Sequence, residues 1–226
     1  MKRLRWLEME LPFSIRSFAS KLKGKAFTND LTDGFLVDRV RDNHLEARYV
    51  EKVPIVETVV DPLGNEHSYE RVDYRQTEFR LTTDYPHLEL TDAPRGIQSF
   101  TSRLSELGNF SLSVSPIEVK VLRWAQRLSE SDADRFVVDA AQASDLVMDE
   151  NITARIILSG TVDVRRTLDR FTKGRNPTLD WVQVRFEQGR ENAKFILLSD
   201  GSARVLADTT QGMVSVLRAA LASARD

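Results

Sequence analysis

The chain has 226 residues, of which 41% are hydrophobic and 29% charged, with a formal net charge of −2 and a pI near 6.0. That length buries a substantial core in one large or two small domains, and the composition excludes a disordered chain. Its longest apolar runs fall far short of the ~20 residues that span a bilayer as a helix, and zero cysteines exclude disulfides, thiol nucleophiles and cysteine-ligated metal sites.

The basic start, Met1 to Arg5, is followed by Glu8, Glu10 and Pro12 where a signal peptide needs an apolar core, so a cytoplasmic protein is expected. Leu4 to Leu11 reads as a strand closed by Pro12. Ser14 caps a helix whose buried face is Ile15, Phe18, Ala19 and Leu22, with Gly24 as its stop. Phe35 to Arg41 and His44 to Lys52 are strand-like, joined by a tight turn at Asp42-Asn43. Pro54 punctuates and Ile55 to Val60 continues as strand. The run Asp61-Pro62-Leu63-Gly64-Asn65 is a strong turn. Tyr69 to Thr82 returns as strand, and its apolar residues change parity between Val72/Tyr74 and Phe79/Leu81, which predicts a bulge near Gln76.

Ala93-Pro94 opens a second helix, closed by Gly108. Its core, Ile97-Gln98-Ser99-Phe100-Thr101-Ser102-Arg103-Leu104, repeats the pattern of Ile15 to Leu22: both fit I-x-S-F-x-S-[K/R]-L, with apolar residues at i, i+3 and i+7. Phe110 to Val114 alternates as a short strand. Ser115-Pro116-Ile117-Glu118 predicts a helix start with a capping box between Ser115 and Glu118, burying Ile117, Val121, Trp124 and Leu128. Ser129 to Asp134 reads as a polar turn. Phe136 to Ala140 and Ile152 to Leu158 are expected as strands around an ambiguous stretch. Asp163 caps a helix directing Val164, Leu168 and Phe171 inward, with Gly174 past its end. Trp181 to Phe186 alternates, Phe195 to Leu198 and Ala203 to Ala207 flank an Asp200-Gly201 hairpin, and an amphipathic helix from about Thr209 closes the chain, burying Met213, Val216, Leu217, Ala220 and Leu221.

The expected fold is α+β, with antiparallel sheets and helices packed on one face. The element order divides into two similar β-α-β-β-(β)-α modules, residues 1–109 and 110–226, or runs through one continuous domain.

Chemical signatures are sparse. Neither a glycine phosphate loop nor a G-x-S-x-G elbow occurs. Glu118-Val119-Lys120 supplies the E-x-K of metal-dependent nucleases, but at a helix start rather than on a strand. His44, with Glu46, decorates a strand; His67 sits beside a turn and His87 in a loop, none with a nucleophile partner. No cofactor and no metal are expected. Charge is uneven. Met1 to Lys25 carries seven basic residues against Glu8 and Glu10, Glu130 to Glu150 carries seven acidic residues against Arg135, and Arg155 to Arg190 carries eight basic against four acidic.

These features favour a non-enzymatic assembly or binding subunit that acts through a protein–protein interface with itself or a partner protein, most simply as a homo-oligomer built on free strand edges such as Leu4 to Leu11. The first alternative is a nucleic-acid-binding module, DNA or RNA, contacting phosphates through Arg16 and Lys21 of the first helix and Arg165, Arg166, Arg170, Lys173 and Arg175 of the later one. A second alternative is a metal-dependent hydrolase using Asp61, Asp73 or Glu78. No membrane partner is expected.

Overall fold

The computed structural model describes residues 1–131, 136–175, 177–188, 191–207 and 212–225. Among them lie eleven strands and five helices: β1 (Lys2–Glu10), α1 (Ile15–Lys23), β2 (Asp33–Val40), β3 (His44–Val60), β4 (Glu66–Thr82), β5 (Leu88–Thr91), α2 (Gln98–Leu107), β6 (Ser113–Pro116), α3 (Val121–Ser131), β7 (Phe136–Asp149), β8 (Ile152–Ser159), α4 (Arg165–Thr172), β9 (Thr178–Gln188), β10 (Glu191–Leu198), β11 (Ser202–Ala207) and α5 (Met213–Ser223). Strand pairing is antiparallel, so the α+β class holds, and the chain divides into two compact units.

One unit spans Met9–Val114. Its strands run in the order β2-β3-β4-β5. α1 forms where the sequence predicts it. The Ser14 hydroxyl accepts the Ser17 N–H, and Ile15, Phe18, Ala19 and Leu22 form its buried face against β2 and β3. α2 presents Phe100 to an aromatic cluster, 5.0 Å from the Phe79 ring and 5.9 Å from Tyr49, which in turn lies 5.1 Å from Phe35. Gly34 is required by close approach: a Cβ there would fall 2.6 Å from the Phe27 Cα, where Phe27 and Phe35 exchange backbone contacts with the segment after α1.

β3 runs unbroken through Pro54. The Lys52 N–H points to the outer side of β3, donating to Thr32 O at 2.8 Å, and two residues on Pro54 points the same way, past the end of β2, where no donor is needed. The bulge expected near Gln76 is absent, for β3 and β4 keep one register from His44↔Thr82 to Val60↔Glu66. The parity change has another cause. Thr77, Phe79 and Leu81 face the core, whereas Val72 and Tyr74 lie where β4 has left it and are exposed.

The other unit comprises Met1–Glu8 and Ser115–Asp226, with strand order β1-β11-β10-β9-β7-β8. β1, expected as a free edge, pairs with β11 from Lys2↔Val205 to Arg5↔Ser202. Trp124 of α3 stands edge-on to Trp6 at 5.7 Å and donates its indole N–H to Leu217 O of α5 at 3.0 Å, tying two helices to one strand. The Asp200-Gly201 hairpin forms as predicted: Gly201 has φ +72, and a Cβ there would meet Ile117 at 3.0 Å. The ambiguous middle stretch is the body of β7, hairpinned onto β8. No helix among the described residues is long and apolar enough to cross a membrane.

Several predicted boundaries move. Ser115 does not cap a helix. Residues 113–116 are strand, Val119 N–H donates to Ser199 O, and α3 begins only at Val121, although Ile117, Val121, Trp124 and Leu128 are all buried as expected. Asn109 and Phe110 adopt positive φ in the turn after α2, so Phe110 is exposed rather than in a strand. Ser129 belongs to α3 and bonds back to Ala125 O, while 132–134 lie outside the described residues. α4 begins one residue later than Asp163 capping implies and ends at Thr172; Val164 and Leu168 are buried, but Phe171 in its last turn is 49% exposed. In α5, Leu217, Ala220 and Leu221 are buried, whereas Val216 is exposed and Met213 half-buried; Thr209 lies outside the described residues.

Candidate interaction surfaces

β3 and β4 are each 17 residues long, about three times the usual strand. β2 stops pairing with β3 at Glu51, and β5 stops pairing with β4 at Glu78. Between Val53–Val60 and Glu66–Asp73 the two strands have, among the described residues, only each other, giving a two-stranded arm about 24 Å long at ~3.4 Å per residue.

Local polar contacts hold the arm. At its tip Asp61 Oδ1 accepts the N–H groups of Leu63 and Asn65 at 2.8 and 2.9 Å, Oδ2 accepts the Asn65 side-chain amide at 2.9 Å, and Gly64 takes φ +88. These bonds from Asn65 hold the Asp61 carboxyl below the ordinary carboxylate range. Along the arm, Thr58 and Ser68 hydroxyls bond at 3.1 Å, and Arg71 reaches Glu57 at 3.0 Å and Asp73 at 3.7 Å.

The arm's apolar side chains stand in the open. Val56, Val59, Val60, Tyr69 and Val72 are each more than half exposed, and Leu63 at the tip is 86% exposed; at the root, Tyr74 is 53% exposed with its ring edge-on to Phe27 at 6.1 Å. Alternation divides them. Pro54, Val56, Val60, Val72 and Tyr74 share one face with Glu66, Ser68 and Glu70, while Val59 and Tyr69 lie on the other with Glu57, Arg71, Asp73 and Arg75. The edges differ as well. Asp61 N–H donates to Asn65 O, so odd-numbered residues bond within the hairpin and even-numbered ones point outward. Pro54 interrupts the outward groups of β3. On β4, Ser68, Glu70, Val72, Tyr74 and Gln76 present an uninterrupted row of backbone N–H and C=O groups, unpaired among the described residues.

The basic helix residues make different contacts within their own units. In α4, Arg165 forms a bidentate pair with Asp163 at 2.7–3.0 Å; burial pushes that carboxyl up, but Arg165 outweighs it and holds it low. The Arg175 guanidinium caps the helix by donating to Phe171 O at 3.0 Å. Arg166, Arg170 and Lys173 are exposed alongside Phe171, so one short helix joins three cations and an exposed ring. Arg16 and Lys21 belong to the other unit, where Arg16 pairs with Asp42 at 2.5 Å and Lys21 covers the Phe13 ring at 4.7 Å.

The hydrolase residues are not brought together. Asp61 sits at the arm tip, Asp73 opposite Val53, and Glu78 opposite Arg48 on the other face of β4. Among the described residues no three His, Asp or Glu side chains are grouped to hold a metal ion. Glu118 and Lys120 lie in the extended segment before α3, on the rim of a cleft of about 1040 Å³ shared with Arg123, Arg127, Thr178 and Asp200; Arg127 is committed there to Glu130 and Ser223 O. Burial lowers the His44 pKa, and Asn43 is its hydrogen-bonding neighbour at 3.0 Å, while His67 stands 3.6 Å from Asp61. Sequence reasoning missed the arm; the length of the paired strands was its one visible signal. Comparison with known protein-family models and with curated proteins finds no match to this chain.

Proposed function

We propose that this chain is a non-enzymatic assembly subunit that docks onto protein through the β3–β4 arm. The observation that supports this reading is an isolated two-stranded hairpin carrying five apolar side chains more than half exposed along its length, with Leu63 at its tip. A two-stranded ribbon is marginal in water by itself, and three or more strands with a shared apolar face are needed for independent stability. Exposed apolar surface and an open strand edge are together the features that a protein partner covers.

The test is a photo-crosslinking residue placed at Val56 or Val60 in the producing cell, with Val162, 71% exposed in the other unit, as control. Docking through the arm gives a discrete protein adduct from Val56 and Val60 that is absent from Val162. Equal labelling at all three positions, or none, refutes it.

A second reading rests on α4. Arg166, Arg170 and Lys173 beside the exposed Phe171 combine charge for phosphates with a ring for stacking. Fluorescence anisotropy with duplex and single-stranded DNA at low salt tests it. Arg166→Ala with Arg170→Ala flattens the log K against log salt slope by up to about two on a duplex if both touch phosphates. No binding by the unaltered protein removes this reading.

A further inference from the structure

We infer that the occupant of the arm is a second copy of this chain, joined through β4 edge to edge as a symmetric antiparallel pair with Val72 on the two-fold axis. The inference rests on the arm being a docking surface and adds the partner and the register.

Two constraints select this geometry. The first is the backbone. Only residues whose N–H and C=O point outward can bond across a new edge, and on β4 these are the even-numbered ones from Glu66 to Gln76. A symmetric antiparallel pair therefore matches even with even, which leaves four registers near the middle of the free edge. The second is charge. One register sets Glu70 against Glu70 of its copy, the next sets Arg71 against Arg71, and the one beyond Val72 sets Asp73 against Asp73 and Arg71 against Arg75. Like charges directly opposite destabilise a sheet.

The register centred on Val72 has none of these conflicts over Ser68 to Gln76. Val72 meets Val72 across the axis, Arg71 meets Asp73 twice, Tyr69 meets Arg75 twice, and Glu70 meets Tyr74 twice. Arg71 and Asp73 fall in non-hydrogen-bonded positions, where opposing Cα atoms approach to ~4.5 Å and side chains are closest. Each Tyr69–Arg75 pair sets a guanidinium beside an aromatic ring. The product is a four-stranded sheet, β3-β4-β4-β3, which continues the face bearing Pro54, Val56, Val60, Val72 and Tyr74 from one copy into the other. Two marginal ribbons become one sheet of adequate size.

The experiment uses the purified full chain, which has no cysteine of its own. Val72→Cys places two thiols at Cα separations of ~5.5 Å, inside the disulfide range. Glu70→Cys and Tyr74→Cys place theirs four residues apart along the strand, about 14 Å, where no disulfide forms. The unaltered protein is expected at twice 25.7 kDa by light scattering, with a covalent dimer from Val72→Cys alone. Arg71→Asp and Asp73→Arg each put two like-charge pairs across the axis and weaken association about tenfold or more. Mixed one to one, the two variants restore it, because both carboxylates of one chain then face both guanidinium groups of the other. All variants lie on exposed residues and keep the parent's strand and helix content by far-ultraviolet circular dichroism. A disulfide through Glu70→Cys or Tyr74→Cys, or failure of the mixed pair to associate, overturns the register. A single 25.7 kDa species at every concentration overturns the homodimer; a discrete adduct from Val56 to a different protein then leaves arm docking standing, and absence of any adduct removes both.

Discussion

Replacing Phe100 with alanine tests the placement of α2 and the core beneath it. The side chain is 1% exposed, and its ring contacts Phe79 and Tyr49 at centroid distances of 5.0 and 5.9 Å. Truncating a buried Phe costs about 3–5 kcal/mol, and the two ring contacts place this site toward the upper half. A unit of this size has a total stability of roughly 5–15 kcal/mol, so the loss is a large fraction of it. The assay separates the units naturally. All four tyrosines, Tyr49, Tyr69, Tyr74 and Tyr85, lie within Met9–Val114, whereas Trp6, Trp124 and Trp181 belong to the other unit. Urea unfolding followed by tyrosine near-ultraviolet dichroism reads the first unit, and tryptophan fluorescence reads the second. Phe100→Ala is expected to move the tyrosine transition to much lower urea. Phe110→Ala, at a residue 79% exposed, changes stability by less than about 0.5 kcal/mol. A loss below about 1 kcal/mol at Phe100, or an equal loss at Phe110, refutes the packing described.

Arg103 holds Asp33 through three bonds of 2.7–3.1 Å and Glu106 at 2.6 Å, so Arg103→Ala is expected to cost about 1–2 kcal/mol in the same tyrosine transition, with Lys recovering less than half because it lacks the fork. Burial pushes the Tyr49 hydroxyl up to about 12, so the unfolded chain loses that proton first as pH rises. Stability therefore falls by roughly 1 kcal/mol per pH unit above about pH 10, until the folded tyrosine ionises too, and thermal melts across that range measure it. Val72→Pro removes an outward N–H and is expected to keep the strand dichroism while abolishing association by light scattering; Arg71→Pro removes an inward one and unravels the arm, seen as lost dichroism.

The sequence makes the helices near the repeated I-x-S-F pattern legible because helical spacing and a cap are local signals. Phe18 and Phe100 are both buried, and Ser14 caps as expected. The Asp61 to Asn65 and Asp200-Gly201 turns are legible for the same reason. What pairs with what is not local. Nothing in Val53 to Val60 announces that β2 has ended, so an unsupported arm reads as an ordinary strand and its freedom from a core reads as a bulge. Ser115-Pro116-Ile117-Glu118 has a helix-start composition, yet residues 113–116 form a strand, and the Val119–Ser199 contact holds the chain extended before Val121. Phe171 fits the helical stripe, but α4 ends at Thr172 and leaves that last turn exposed.

Hydrogen exchange on β4 measures the arm's role most directly. The amides of Ser68, Glu70, Val72, Tyr74 and Gln76 point outward with no partner among the described residues, while those of His67, Tyr69, Arg71 and Asp73 are bonded to β3. Raising the protein concentration through the range of association is predicted to slow exchange at the outward set, as a second strand accepts their hydrogen bonds. Outward amides that exchange at the open-chain rate at every concentration, and also in the presence of any protein that crosslinks to Val56, would contradict docking through the arm.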